Sequence, residues 1–189
     1  PLEVLSPYDD SLVGITFRPT EKDLEDAVQQ AVSAFAVTAE LPTYRRAELL
    51  RNMSAGLEAR REELIRVLAL EAGKPRKAGS VEVDRAIFNF RNASEEAQRI
   101  DSEFIPLDLL STAQGRWGLI RRFPIGPILA ITPFNFPLNL VVHKIAPALA
   151  AGNSVVQKPA SKTPICSLVL AEIAQQAGLP AGALNVVPC

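Results

Sequence analysis

Residues 124–137 read PIGPILAITPFNFP, residues 138–153 LNLVVHKIAPALAAGN and residues 154–161 SVVQKPAS. Short apolar runs alternate here with longer ones of helical length, each bounded by Pro or Gly. Gly126–Thr132 reads as a strand, and Pro137–Ala151 as a helix ended by Gly152. Ser154–Lys158 reads as a second strand, Pro164–Ala177 as a helix closed by Gly178, and Leu184–Val187 as a third strand. This β-α-β-α-β order with apolar strands predicts a parallel sheet whose helices cover it through right-handed crossovers. Ligands of such sheets bind beyond the C-terminal strand ends. That rule singles out Thr132-Pro133-Phe134-Asn135 and Lys158-Pro159-Ala160-Ser161 as the loops that carry function.

Working outward, the charge distribution divides the chain. Of its 189 residues, 41 are charged, and only Lys144, Lys158, Lys162 and Glu172 fall after residue 123. A charged helical layer therefore precedes a segment buried on most sides. Thr20 followed by Asp23 reads as a capping box opening a helix to about Ala39, with Leu24, Ala27, Val28, Ala31 and Phe35 inward. A second helical region runs from about Thr43 to Ala72, divided near Gly56 and stopped by Gly73-Lys74-Pro75. A third helix, roughly 80–100, places Val83, Ile87, Phe90, Ala97 and Ile100 on one face. The charges between these positions read as a solvated face. Glu103–Leu107 and Arg116–Phe123 read as strands of a hairpin or extended arm around Ser111–Gly115. Two strands alone are marginal, so the arm is expected to dock on another part of the protein or another subunit. The expected division is 1–100 helical layer, 101–123 arm and 124–189 sheet unit.

Composition excludes several function classes. Hydrophobic residues make up 48% and charged ones 22%, as in a folded globular chain rather than a disordered one. A net charge of -1 argues against a nucleic-acid partner, which calls for a basic surplus. No run approaches the ~18 apolar residues that span a bilayer, so no membrane partner is expected. With no leader pattern at the start, a cytoplasmic location is expected. Two cysteines and one histidine match no metal pattern, so no metal site is assigned. The G-x-G-x-x-G fingerprint, the phosphate loop, H-E-x-x-H and the serine-hydrolase elbow are all missing.

The block Pro133-Phe-Asn-Phe-Pro137, with Lys144-Ile-Ala-Pro-Ala-Leu-Ala-Ala-Gly-Asn153 and then Val156-Gln-Lys-Pro-Ala-Ser161, resembles the aldehyde dehydrogenase superfamily. The resemblance extends from Glu71-Ala-Gly-Lys-Pro75 to Gly178-Leu-Pro-Ala-Gly182. It implies an α/β fold in which N-terminal helices and a β-arm precede the start of a Rossmann-like NAD(P)-binding unit. The implied reaction is oxidation of a small-molecule aldehyde to a carboxylic acid through a cysteine hemithioacetal and thioester. The implied assembly is a homo-oligomer, dimer or tetramer.

Residue by residue, the resemblance places the catalytic asparagine at Asn135, whose NH₂ can donate to a developing oxyanion; alternatively Asn135 closes the turn. Lys158 matches the lysine that hydrogen-bonds the adenosine ribose. Thr132, Pro133 and Phe134 match positions lining the nicotinamide half, with core packing the alternative for Phe134. Lys144 matches a lysine proposed to assist proton transfer, or else it is structural. Ser161 stands where NAD-preferring members often carry a glutamate, which favours NADP over NAD here. Cys166, in the first turn of a helix, is a formal nucleophile but reads as a buried inert thiol. Neither it nor Cys189 is assigned to catalysis. The chain looks like an N-terminal portion, so it is expected to be inactive alone. A non-catalytic assembly fragment and an acyl-phosphate or acyl-CoA reductase are the alternatives.

Overall fold

Ahead of the first helix the chain forms a hairpin that the sequence pattern does not announce. Strand β1 (Leu2–Leu5) pairs antiparallel with β2 (Leu12–Thr16), matching Leu2 to Thr16 and Val4 to Gly14. The turn between them holds Asp10 at φ 55, a left-handed conformation that Asp tolerates better than most residues. The computed structural model describes residues 1–100 and 102–189. The expected arm boundary at residue 101 lies outside the described residues.

Helix α1 (Glu21–Glu40) starts at the expected capping box. The Thr20 hydroxyl accepts the Asp23 N–H at 3.2 Å, and the Asp23 carboxylate accepts the Thr20 N–H at 2.8 Å. Its buried face agrees with the expected one at Ala27 and Ala31 and departs from it at Leu24 and Val28. Ala27, Ala31, Ala34 and Thr38 are buried, whereas Leu24 and Val28 are 39% and 44% exposed. The cause is close backbone approach. The Ser154 hydroxyl donates to the Ala31 carbonyl at 2.7 Å, and a Cβ on Gly182 would come within 2.8 Å of the Gln30 carbonyl oxygen. Small residues must line such a contact, so the larger apolar side chains turn outward.

The second helical region is two helices, α2 (Thr43–Ala59) and α3 (Arg61–Ala72). The break falls at Arg60, not at Gly56. Gly56 lies inside α2, where its missing side chain makes room for Ile173; a Cβ there would sit 2.5 Å from Ile173 Cγ2. Gly73, at φ 64, ends α3 in the left-handed conformation that favours glycine, and the Lys74 N–H bonds back to the Leu68 carbonyl at 3.3 Å. Helix α4 (Arg76–Ala97) begins earlier than expected, directly after Pro75, and buries Val83, Ala86, Ile87 and Phe90.

The arm is antiparallel β3 (Glu103–Pro106) with β4 (Trp117–Ile120), in the register Phe104 to Leu119 and Pro106 to Trp117. Phe104 and Trp117 stack with centroids 5.2 Å apart, yet both remain more than 60% exposed. The described residues thus leave this hairpin largely uncovered.

The last segment forms β5 (Ile128–Ile131), α5 (Asn139–Ala150), β6 (Val155–Lys158), α6 (Ile165–Gln176) and β7 (Leu184–Val186). The three strands lie in the order β5-β6-β7, all parallel. Helix α1 covers one face through Ala27 and Ala31 against Val156 and Val187. The main core lies on the other face, where Leu138, Val142, Ile145, Leu170 and Ile173 join Leu50, Met53, Leu68 and Phe90 from α2, α3 and α4. Along β5, Ala130 is buried while Leu129 and Ile131 are 64% and 57% exposed. That alternation leaves the β5 end of the sheet bare on the α1 side.

Candidate functional site

The parallel register sets Ile131 opposite Lys158, so the two loops singled out by the sequence leave the same end of the sheet from adjacent strands. Thr132 is buried and anchors the first loop. Its N–H donates to the Lys158 carbonyl at 3.2 Å, and its hydroxyl accepts from Gln157 Nε2 at 3.0 Å. Only the backbone carbonyl of Thr132 is therefore left to face a ligand. Pro133, Phe134 and Asn135 follow, all exposed. Phe134, at 62% exposure, is not part of the core. The Asn135 amide has no hydrogen-bond partner among the described residues and is available to an incoming group.

From the second loop, Lys158 Nζ and Ser161 Oγ converge on one oxygen. Both donate to an oxygen of Cys189, the last residue of the sequence, at 3.0 Å and 2.6 Å, and Lys158 Nζ also donates to the Pro159 carbonyl at 3.3 Å. A lysine ammonium and a hydroxyl meeting at a single acceptor form a donor pair of the kind that holds a sugar hydroxyl or a phosphate oxygen. Lys144 lies apart, exposed on α5 and making no ion pair with the described residues.

Two buried carboxylates, which the sequence reading left among the solvated charges, fix the helices that follow the loops. Glu82, 1% exposed, accepts the Leu138 and Asn139 N–H groups at 3.0 Å and 3.1 Å, capping α5 from a distance. Its other oxygen pairs with Lys74, whose ammonium sits 3.8 Å from the centroid of the Phe136 ring. Glu71, 2% exposed, accepts the Ile165 and Cys166 N–H groups at 2.8 Å and 3.0 Å and so caps α6. Burial pushes the Glu71 carboxyl up, and these N–H donors and the Cys166 thiol oppose that shift. Their signal in the sequence was spacing: Glu71 continues the buried Leu64-Leu68 stripe, and Glu82 adjoins Val83 on the inner face of α4.

Cys166 is fully buried beside Glu71. Burial, with that carboxylate second, pushes its thiol well up, which overrides any help from the helix dipole. It is the inert thiol of the sequence reading. A cleft of about 670 Å³ lined by Thr43, Arg46, Arg121 and Arg122 opens beside Ala151, at the far end of α5 from Asn135, and is separate from the loops.

A sequence profile described as "Aldehyde dehydrogenase family" matches residues 1–189. The 3-sulfolactaldehyde dehydrogenase of Priestia megaterium is 42% identical over 186 residues, which cover 98% of this chain and 39% of that protein. A solved structure of aldehyde dehydrogenase 21 from Physcomitrella patens, in complex with the reaction product succinate, superposes with a TM-score of 0.96. It is 42% identical and covers 99% of this chain and 39% of its own. Glyceraldehyde-3-phosphate dehydrogenase GapN from Methanocaldococcus jannaschii, complexed with NADP, gives a TM-score of 0.93 at 36% identity, covering 100% of this chain and 41% of its own. Other solved neighbours are in complex with nicotinamide adenine dinucleotide or are NAD-dependent. The chain thus spans about two fifths of the length of the relatives it matches. Among the described residues, no helix is long and apolar enough to cross a membrane.

Proposed function

The chain belongs to the aldehyde dehydrogenase family, and from that membership we propose that it supplies the oxyanion donor and part of the dinucleotide site of an enzyme oxidising an aldehyde to a carboxylic acid. The observation that carries this reading is the free Asn135 amide. It stands exposed at the C-terminal end of β5, in a loop tied down by Thr132 before it and by Leu138 and Asn139 after it.

Attack of a thiolate on an aldehyde carbon turns the carbonyl oxygen into an oxyanion. Asn135 Nδ2 is a preorganised donor for that oxygen, and such a donor is worth about 2.7–4 kcal/mol in the transition state. The thiolate does not come from Cys166, which is fully buried and whose thiol that burial pushes well up. Lys144, exposed and unpaired among the described residues, is free to assist proton transfer.

The nicotinamide dinucleotide, when bound, accepts the hydride. On the protein side, Lys158 and Ser161 hold the adenosine ribose, while Pro133, Phe134, Asn135 and the Thr132 backbone line the nicotinamide half. NADP is favoured. Ser161 sets no carboxylate against a 2′-phosphate, and Lys158 and Lys162 flank it with positive charge. NAD remains a substrate of the same site.

The aldehyde carries an anionic group. The relatives above handle a sulfonate, a carboxylate and a phosphate ester by their names and bound product. Arg85 supplies a cation beside the loop, its guanidinium 5.9 Å from the Phe136 ring. The neighbouring carboxylates Glu82 and Asp84 are already taken by Lys74 and Arg61.

The whole enzyme is a homo-oligomer, supported by the exposed Phe104, Trp117 and Leu119 of the arm. Purified whole protein should show absorbance growth at 340 nm with an anionic semialdehyde and NADP, and less with a neutral aldehyde of the same length. No aldehyde-dependent reduction of either dinucleotide would overturn the reading.

A further inference from the structure

Lys74 and Glu82 touch none of the groups that the proposed reaction transforms, yet together they grip the segment that presents Asn135. We propose that the half-buried Lys74–Glu82 ion pair is the positioning device of the oxyanion loop, setting where the Asn135 amide points by clamping Phe136 and the first turn of α5. The inference rests on Asn135 being the oxyanion donor.

The loop has two anchors. At its start, the Thr132 N–H is bonded to β6; at its end, the Leu138 and Asn139 N–H groups are bonded to Glu82. Between them lie five residues, Pro133 to Pro137, with Asn135 at the centre. An N-terminal helix turn ordinarily finds its acceptor in a local Ser, Thr, Asp or Asn. No such side-chain cap serves α5. Its acceptor comes from α4, 56 residues earlier, so the start of α5 is located by the packing of α4 and not by the loop itself.

Phe136 adds a second constraint. Its carbonyl accepts the Leu140 N–H at 3.0 Å, and its ring lies under the Lys74 ammonium, a contact that favours one ring placement. Lys74 is itself fixed. Its backbone follows the left-handed Gly73, where a Cβ would come within 2.9 Å of Pro7 Cγ, and its ammonium is held by a carboxylate with no exposed side-chain surface. One ion pair thus reaches both the residue after Asn135 and the helix after that. A positioning role also gives a reason for keeping the Glu82 charge in a fully buried place.

The test is a double-substitution cycle in the whole enzyme, reading the single-turnover hydride step and the dissociation constant of the dinucleotide. Lys74→Met removes the charge and keeps the length. It should slow the hydride step by about 10- to 100-fold, the cost of displacing a reacting group by roughly an ångström, with dinucleotide affinity unchanged within about threefold. In an Asn135→Ala background the same substitution should change the rate by less than about twofold, because the loop then has no donor to aim. Glu82→Gln keeps the volume and one acceptor oxygen, should behave like Lys74→Met, and carries the test if the latter does not fold. Equal slowing by Lys74→Met with and without Asn135, or no slowing at all, overturns the positioning role alone. A full rate in Asn135→Ala by itself overturns the oxyanion assignment, and the positioning role with it.

Discussion

Replacing Glu71 by alanine removes the only side-chain acceptor seen at the start of α6 among the described residues. Two N–H donors are left, Ile165 at 2.8 Å and Cys166 at 3.0 Å from the lost oxygens. Stranding a buried donor costs about 1–3 kcal/mol. Cys166 is fully buried and Ile165 only partly so, which gives a gross cost of about 2–5 kcal/mol. Against this, ionising Glu71 in the fold carries a burial penalty that alanine escapes, so the lower half of that range is expected. Urea unfolding followed by circular dichroism should therefore show a loss of about 2–3 kcal/mol, more than the ~1 kcal/mol of an ordinary exposed cap. The pH dependence has a definite sign. Because the fold raises the Glu71 pKa, its contribution is complete below the usual value of 4.5 and declines as pH rises through the higher folded value. The stability gap between the two proteins should thus be wider at about pH 5 than at about pH 8. A loss below about 1 kcal/mol, or a gap that widens with pH, would refute the reasoning.

Two further substitutions test other parts of the structure. Gly56→Ala gains about 1 kcal/mol of helix propensity but sets a methyl 2.5 Å from Ile173 Cγ2, an overpacking that costs about 1–3 kcal/mol. The thermal midpoint should fall, and a rise would show that α2 and α6 do not meet as described. Ser161→Glu should move kcat/KM of the whole enzyme from NADP towards NAD by at least about tenfold, since the new carboxylate repels a 2′-phosphate and accepts from a ribose hydroxyl. An unchanged ratio would place the 2′ position elsewhere.

The sheet unit was legible because its punctuation is local. The runs GPILAIT and SVVQK contain β5 and β6, and the Gly152 and Gly178 stops fall where α5 and α6 end. The site loops were legible for the same reason, because a parallel sheet presents its strand ends together and Asn135, Lys158 and Ser161 follow those ends. Sequence reasoning failed where the cause was not local. The inner face of α1 is set by the Ser154 hydroxyl ahead of β6 and by the close approach of Gly182 before β7, which periodicity does not contain; the rule that larger apolar residues face inward then chose Leu24 and Val28 wrongly. The β1–β2 hairpin is two short strands interrupted by Pro7 and the Asp10 turn. It is held by packing on α3 and α6, where Gly14 meets Ile165. Glu71 and Glu82 lay at helical spacing on buried stripes but read as solvated charges, because their partners, the amides of α6 and α5, lie 94 and 56 residues away.

The central claim is that Asn135 donates to the oxyanion, and the single-turnover hydride step of Asn135→Ala in the whole enzyme tests it most directly. The expected result is a loss of about 10²–10³ in rate with dinucleotide affinity nearly unchanged. A loss of about tenfold or less would contradict the claim and leave Asn135 as a residue that only closes the turn between β5 and α5.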